Sequence, residues 1–219
     1  MTNTPHILLS VPPGMASCFG ECETRLAASC FAASDPPQRP LGSGGGTTHL
    51  LVEGWKAAGS PGTFAEWLRG RRIIAAHGGG QSRRLPAYAA AGKLFIPVPA
   101  YRWAYGQRLD QTLIDLQLEF LRNVYRRAHP QSRVLVASGD VLIHSEANLP
   151  DLPDADAVLL GLWVRPEEAQ HFGVMFCDPA DPTRLVRFLQ KPSPDTIRSM
   201  AADTVFMIDV GVWLLSERA

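Results

Sequence analysis

The sequence predicts an α/β fold with a mostly parallel, mixed sheet, and three observations predict it. Apolar runs bounded by turn formers recur at residues 73–76, 133–137, 157–164, 172–176, 185–189 and 205–215, as buried strands do. A long amphipathic helix lies between the first two runs, and strands alternating with helices pair in parallel through right-handed crossovers. The 219 residues are 46% apolar and 19% charged, which excludes wholesale disorder and supplies a core.

Taken in order, residues 1–40 read as an N-terminal arm, set off by a Pro-, Gly- and Ser-rich tract at 34–46, and residues 41–219 as the domain. The glycine run of LGSGGGTTHLL at 41–51 follows no clear strand and reads as a linker or a nucleotide contact. The run at 73–76 enters a second glycine loop. A helix is expected from Gln107 to Ala128, with Leu109, Leu113, Leu116, Phe120, Leu121 and Val124 on one face and Arg126 and Arg127 at its end, where the dipole favours cations. Pro130 stops it. The next strand ends at Gly139-Asp140. In such sheets ligands sit beyond the carboxyl ends of the strands.

Charge and cysteine usage narrow the function classes. Lys plus Arg and Asp plus Glu are 21 each, so no global field favours nucleic acid or an anionic membrane. Locally, residues 66–127 hold 11 basic and 4 acidic side chains, while 140–181 hold 9 acidic and only Arg165 on the basic side. That order suits a site gripping phosphate with one part and a metal with another. No stretch approaches the roughly 18 apolar residues of a membrane helix. Cys18, Cys22, Cys30 and Cys177 form no CxxC pair and read as reduced thiols of a cytoplasmic protein.

The richest segment is IIAAHGGGQSRRLPAYAAAGKLFIPVP, residues 73–99. Glycines 78, 79 and 80 let the backbone approach a polyphosphate, and Arg83 and Arg84 offer planar forks of donors. Ser82 and Lys93 extend the polar set. A bare glycine run is an ordinary turn, but strand, triple glycine, Ser, paired Arg, Pro86 and Lys93 together point to phosphate. Neither the GxxxxGK[ST] nor the GxGxxG pattern is present. Asp140 is either a turn residue or a metal ligand; magnesium takes one or two carboxylates with waters and phosphates. Asp209, flanked by apolar residues, needs a partner, because an unpaired buried carboxylate is costly. Lys191 reads as a solvated loop charge or a functional one. His77 adjoins the loop; the other histidines show no HExxH spacing and no GxSxG elbow exists.

The 73–99 segment resembles the nucleotidyltransferase signature of sugar-nucleotide pyrophosphorylases, with Gly79, Gly80, Ser82, Arg84, Leu85, Pro86, Lys93 and Pro97 at matching positions. LVASGDVLIH at 135–144 is similar to the family strand ending in a magnesium-binding aspartate, here Asp140. HFGVMFCD at 171–178 resembles the sugar-contacting strand through Gly173. FLQKPS at 188–193 resembles the Glu-Lys-Pro motif through Lys191, and FMIDVGVWLL at 206–215 the strand that supplies a second metal ligand, Asp209. With LGSGGGTTHLL and GLWV at 161–164, their order is similar to the N-terminal pyrophosphorylase region of bifunctional fucokinase/GDP-fucose pyrophosphorylases.

That resemblance implies a Rossmann-like nucleotidyltransferase, incomplete at its C-terminus, that joins L-fucose 1-phosphate and GTP into GDP-fucose and pyrophosphate with Mg²⁺. It implies a sugar kinase domain further along the whole protein. Arg84, Lys93 and Asp140 would be catalytic. Gly78, Gly79, Gly80, Ser82 and Arg83 would bind nucleotide, Gly173 and Lys191 the sugar phosphate, Asp140 and Asp209 the metal. Gly92 stands where the wider signature has Pro, and Gln190 where it has an acid. Two other readings stay open: a non-catalytic nucleotide-binding module, which tolerates loss of Asp140, and an ATP-dependent sugar kinase, whose glycine-serine loops LGSGGGT faintly resembles.

Overall fold

Extended backbone leaves its N–H and C=O groups to be met by a neighbouring strand, and β-branched side chains fit the pleated surface so formed. The computed structural model describes residues 4–39, 41–78, 86–98, 110–145 and 149–219. Among the described residues there are eight strands of mixed direction with helices between them, an α/β architecture. The chain forms two compact units, Met1–Val158 with Trp213–Ala219, and Leu159–Val212. The first is discontinuous in sequence; the second is an insertion within it.

The first unit begins with β1 (His6–Ser10), α1 (Pro13–Cys22), α2 (Thr24–Ala27), β2 (Cys30–Ala33), α3 (Gly42–Ala57) and α4 (Phe64–Arg69). It continues with β3 (Ile73–His77), single 3₁₀ turns at Pro86–Tyr88 and Lys93–Phe95, α5 (Leu113–Arg127) and β4 (Ser132–Ser138). The strands run β2-β1-β3-β4, all parallel, with Leu8 opposite both Phe31 and Ala75, and Ala75 opposite Val136. Residues 1–40 therefore contain two strands of this sheet. Alternation sends Ile73 and Ala75 to one face, where they pack with Leu8, Leu50, Leu51, Trp67 and Val134. Helix α3 opens within the glycine run, at Gly42. Those glycines are helix, not linker, and strand β2 precedes them.

Helix α5 starts at Leu113, not near Gln107; residues 107–109 lie outside the described ones. Asp110–Thr112 stay out of the helix because Thr112 is extended, forms an isolated antiparallel bridge with Pro97, and has its N–H bonded by the Asp115 carboxylate at 2.8 Å. The side chain at the third helical position thus meets a backbone donor just outside the helix. The buried stripe comprises Leu113, Ile114, Gln117, Leu118, Leu121, Val124 and Tyr125, while Leu116 and Phe120 are half-buried. Tyr125 fixes the helix to the sheet. Its hydroxyl shares one proton between the carbonyls of Arg133 (2.6 Å) and Ile73 (3.0 Å) and accepts from the Ile73 N–H at 3.3 Å. Burial pushes this phenol above its ordinary range.

The second unit contains most of β5 (Ala157–Leu162), then α6 (Pro166–Ala169), β6 (Gly173–Cys177), β7 (Leu185–Gln190), α7 (Pro194–Met200) and the first part of β8 (Val205–Ser216). Here β6 lies between β7 and β8, antiparallel to both, and β5 pairs with β8. Val174, Phe176 and Ile208 pack with Ala169 of α6 and Ile197 of α7. Helix α7 is capped by Ser193, whose hydroxyl accepts from the Thr196 N–H, with Pro194 in the first turn, where a missing N–H is harmless. Among the described residues no helix is long and apolar enough to cross a membrane.

Candidate functional site

In the first unit, the chain leaves the sheet at the carboxyl ends of β1, β3 and β4 through residues that must come very close together. The Gly78 N–H donates to the Ser10 carbonyl at 2.7 Å, and the Gly139 N–H to the His77 carbonyl at 2.8 Å. The turn that carries Lys93 folds back onto this edge, its Lys93 N–H donating to the Gly78 carbonyl at 3.3 Å. A Cβ on Gly78 would stand 2.4 Å from Leu94 Cγ. Gly92 has φ 88°, and a Cβ there would meet Pro12 Cδ at 2.7 Å. Proline at 92, as in the wider signature, has φ fixed near −65° and does not fit this backbone.

That docking brings two of the expected residues together. Lys93 Nζ lies 2.5 Å from Asp140 Oδ2, and the Ser138 hydroxyl donates to Asp140 Oδ1 at 2.7 Å. Burial pushes the Asp140 carboxyl up, but the hydrogen bonds from Lys93 and Ser138 and the lysine charge outweigh it and hold the carboxyl below its ordinary value. The side chains of Lys93 and Asp140 remain 30% and 45% exposed, so both stay open to a ligand. Behind them, the Gln117 amide on α5 donates to the carbonyls of Ser138 and Val141, bracketing the Gly139-Asp140 turn.

His77, last residue of β3, is turned toward α3. Thr47 Oγ1 donates to the Ser43 carbonyl at 2.8 Å and lies 2.8 Å from His77 Nε2. With one hydroxyl proton, both contacts are met when His77 donates from Nε2. Burial pushes the imidazole down, against the opposing charge of Asp35. The Asp35 carboxylate also accepts from the Leu41 N–H at 3.1 Å, tying the loop after β2 to the start of α3. Gly79, Gly80, Ser82, Arg83 and Arg84 lie outside the described residues.

In the second unit, the register brings the remaining expected residues to one end of the sheet. Gly173 opens β6 opposite Gln190, the last residue of β7, and a Cβ on Gly173 would strike Phe188 at 2.5 Å. Lys191 follows directly with φ 50°, its N–H donating to the Phe172 carbonyl at 2.9 Å. Val174 pairs with Ile208, which makes Asp209 the next residue along β8. Its Oδ1 accepts from the Gly211 N–H at 2.7 Å. Among the described residues no group of three or more His, Cys, Asp or Glu side chains could hold a metal.

Ser138, Gln117 and Thr47 had no part in the sequence-based site. Gln117 carried one signal, a polar side chain on the apolar stripe of α5, where a buried amide must find partners. Ser138 and Thr47 carried none, since a hydroxyl at a strand end or in a helix usually serves nearby backbone.

A family model for the fucose pyrophosphorylase domain matches residues 65–219. An L-fucokinase/L-fucose-1-P guanylyltransferase of Bacteroides fragilis is 45% identical over 212 residues, which cover 97% of this chain and 22% of that protein. The chain thus spans less than a quarter of the length of this relative.

Proposed function

We propose that this chain, which belongs to the fucose pyrophosphorylase family, joins L-fucose 1-phosphate to GTP, giving GDP-fucose and pyrophosphate. One observation carries the reaction type: an ammonium and an ionised carboxylate meet at the carboxyl ends of parallel strands, where β3 leads into the Gly- and Arg-rich stretch. The choice of fucose and of guanine follows the name of the B. fragilis relative. That name also supports a sugar kinase elsewhere in a longer protein, and the free cysteines suit the reducing cytoplasm. The finer fold assignment, a Rossmann-like nucleotidyltransferase, is part of the same reading.

Such a transfer needs no protein nucleophile. An oxygen of the sugar 1-phosphate attacks the α-phosphorus of GTP in line, the α–β bridging bond breaks, and pyrophosphate leaves. The protein contributes positioning and charge neutralisation. Lys93 is kept at the strand ends by Asp140 and is the cation for which incoming phosphate competes. Arg84 is assigned to the transferred phosphate, and Gly78, Gly79, Gly80, Ser82 and Arg83 to the triphosphate. Gly173 and Lys191 are assigned to the sugar phosphate. Magnesium takes one or two carboxylates alongside waters and phosphate oxygens, and the ionised Asp140 fits that donor set; Asp209 is assigned to metal within the second unit. Bound there, Mg²⁺ would neutralise phosphate charge.

The test is pyrophosphate release with Mg²⁺ from a panel of nucleoside triphosphates and sugar 1-phosphates. The expected result is preference for GTP with L-fucose 1-phosphate and a fall of about 10²–10³ in kcat/KM for Asp140→Asn, the scale of losing one preorganised charge contact. A better substrate pair, or an Asp140→Asn variant as active as the parent, overturns the proposal.

A further inference from the structure

Helix α1 carries two thiols that the transfer does not use. Cys18 and Cys22 are four residues apart and share one face; the Cys22 thiol donates to Cys18 Sγ at 3.1 Å. Both are free, Cys22 exposed and Cys18 half-buried. Four helical residues separate Cα atoms by about 6 Å along the axis, inside the roughly 4.4–6.8 Å window of a disulfide, while the Cβ atoms, about 5–6 Å apart, must close to about 3.5–4.5 Å. Cys22 is the last residue of α1, and Glu23 after it is non-helical, with φ −127° and ψ 54°, so the final turn can tighten without disturbing a longer helix. No third metal-ligating side chain joins the pair among the described residues, and a structural zinc needs four ligands.

We propose that Cys18 and Cys22 form a redox modification site that closes to an intrahelical disulfide when hydrogen peroxide reaches Cys22. The Cys22 sulfur attacks a peroxide oxygen, the O–O bond breaks, and a sulfenic acid and one water form. The Cys18 sulfur then displaces the sulfenic oxygen, which leaves as a second water carrying the Cys18 proton. The two sulfurs together give up two electrons and the peroxide takes them. A dithiol reductant reverses the step by exchange. The hydrogen bond to Cys18, slight burial and the neighbouring Glu21 and Glu23 hold the Cys22 thiol above its ordinary range. Thiolate, the reacting form, is therefore scarcer than at an ordinary thiol, which slows the first step.

Helix α1 also leans on the segment that presents Lys93. Phe19, in the turn that would tighten, is buried with its ring 6.2 Å from that of Phe95, and Phe95 ends the turn begun by Lys93. Pro12, just before α1, lies against Gly92. Closing the disulfide draws Phe19 away from Phe95 and loosens the seat of Lys93; this second step rests on the proposed function.

Mass mapping of the chain after peroxide treatment and thiol alkylation tests the site. One peptide should hold Cys18 linked to Cys22, short of two hydrogens and restored by dithiothreitol, and Cys18→Ser should leave a Cys22 sulfenic acid that dimedone traps. Both cysteines alkylated after treatment, or either linked to Cys30 or Cys177, overturns the site. In the pyrophosphate assay, oxidation should lower activity several-fold in the parent, reversibly, and leave Cys18→Ser unaffected. A disulfide that forms without changing activity overturns the link to Lys93. An inactive reduced parent overturns the proposed function instead, while the mass map still decides the disulfide.

Discussion

Gly139→Ala tests the close approach of strand ends on which the Lys93–Asp140 pair depends. A Cβ at this position would lie 2.3 Å from the His77 carbonyl oxygen, 2.8 Å from its carbon and 2.8 Å from Leu94 Cδ2. Two of these atoms are backbone of the adjacent parallel strand and cannot rotate aside. The methyl must push β4 from β3 by about 1 Å, which over-packs the junction at a cost of about 1–3 kcal/mol. It also breaks the hydrogen bond from the Gly139 N–H to His77, worth about 1 kcal/mol. The sum is about 2–4 kcal/mol. Gly20, in α1, has nothing within 4 Å of an added Cβ, so Gly20→Ala should gain up to about 1 kcal/mol of helix propensity. Urea unfolding of both variants measures the two effects as shifts in midpoint at constant slope. A Gly139→Ala protein within about 0.5 kcal/mol of the parent, the range of an ordinary surface change, would refute the steric reasoning.

Three further outcomes follow from the geometry. Tyr125→Phe should cost about 1–3 kcal/mol in urea unfolding, because it strands the Ile73 N–H and two carbonyls in the core; a neutral result would mean water reaches them. For His77 the folded imidazole is held below the 6.5 of the unfolded chain, so the unfolded state takes up its proton first. Stability is whole above 6.5 and is lost as pH falls from there through the folded value. His77→Gln should remove that part of the pH dependence, and an unchanged stability difference between parent and variant on the two sides of 6.5 would contradict it. For Asp140 the folded carboxyl lies below 3.8; its contribution is present above 3.8 and lost as pH falls through the folded value. Asp140→Asn should flatten that acid limb of the stability curve, and equal acid sensitivity in both proteins counts against the ion pair.

Much of the sheet was readable because β3 to β8 are continuous apolar runs closed by turn formers, and their bounds match the sequence to within a residue or two. Strands β1 and β2 went unread because HILLS and CFAA are short and the Pro/Gly/Ser tract after them looked like a boundary. Glycine has poor helix propensity, yet Gly42–Gly46 open α3, because Leu50, Leu51 and Trp55 further along the helix pack with the sheet's core cluster; tertiary packing decided what local preference could not. The start of α5 was misplaced because apolar spacing ignores caps, and here Asp115 and the Pro97 bridge set the boundary. For the site, Lys93 and Asp140 are 47 residues apart, and only the close approach of Gly78, Gly92 and Gly139 joins them.

The insertion of Leu159–Val212 within the first unit sets an order on synthesis. Leu214 and Ser216 are buried, and Glu217 pairs with Arg69 at 2.5 Å, so the first unit lacks these contacts until Trp213–Ala219 has been made. The core of the inserted unit, Ala169, Val174, Phe176, Ile197 and Ile208, lies wholly within its own span. Its folding shortens the effective loop between Val158 and Trp213 and lowers the entropy lost when the two are joined. The inserted core is thus fully synthesised before Trp213–Ala219, and the first unit, which carries the Lys93–Asp140 pair, waits longer for these contacts, the interval in which a nascent chain is most open to pairing with another.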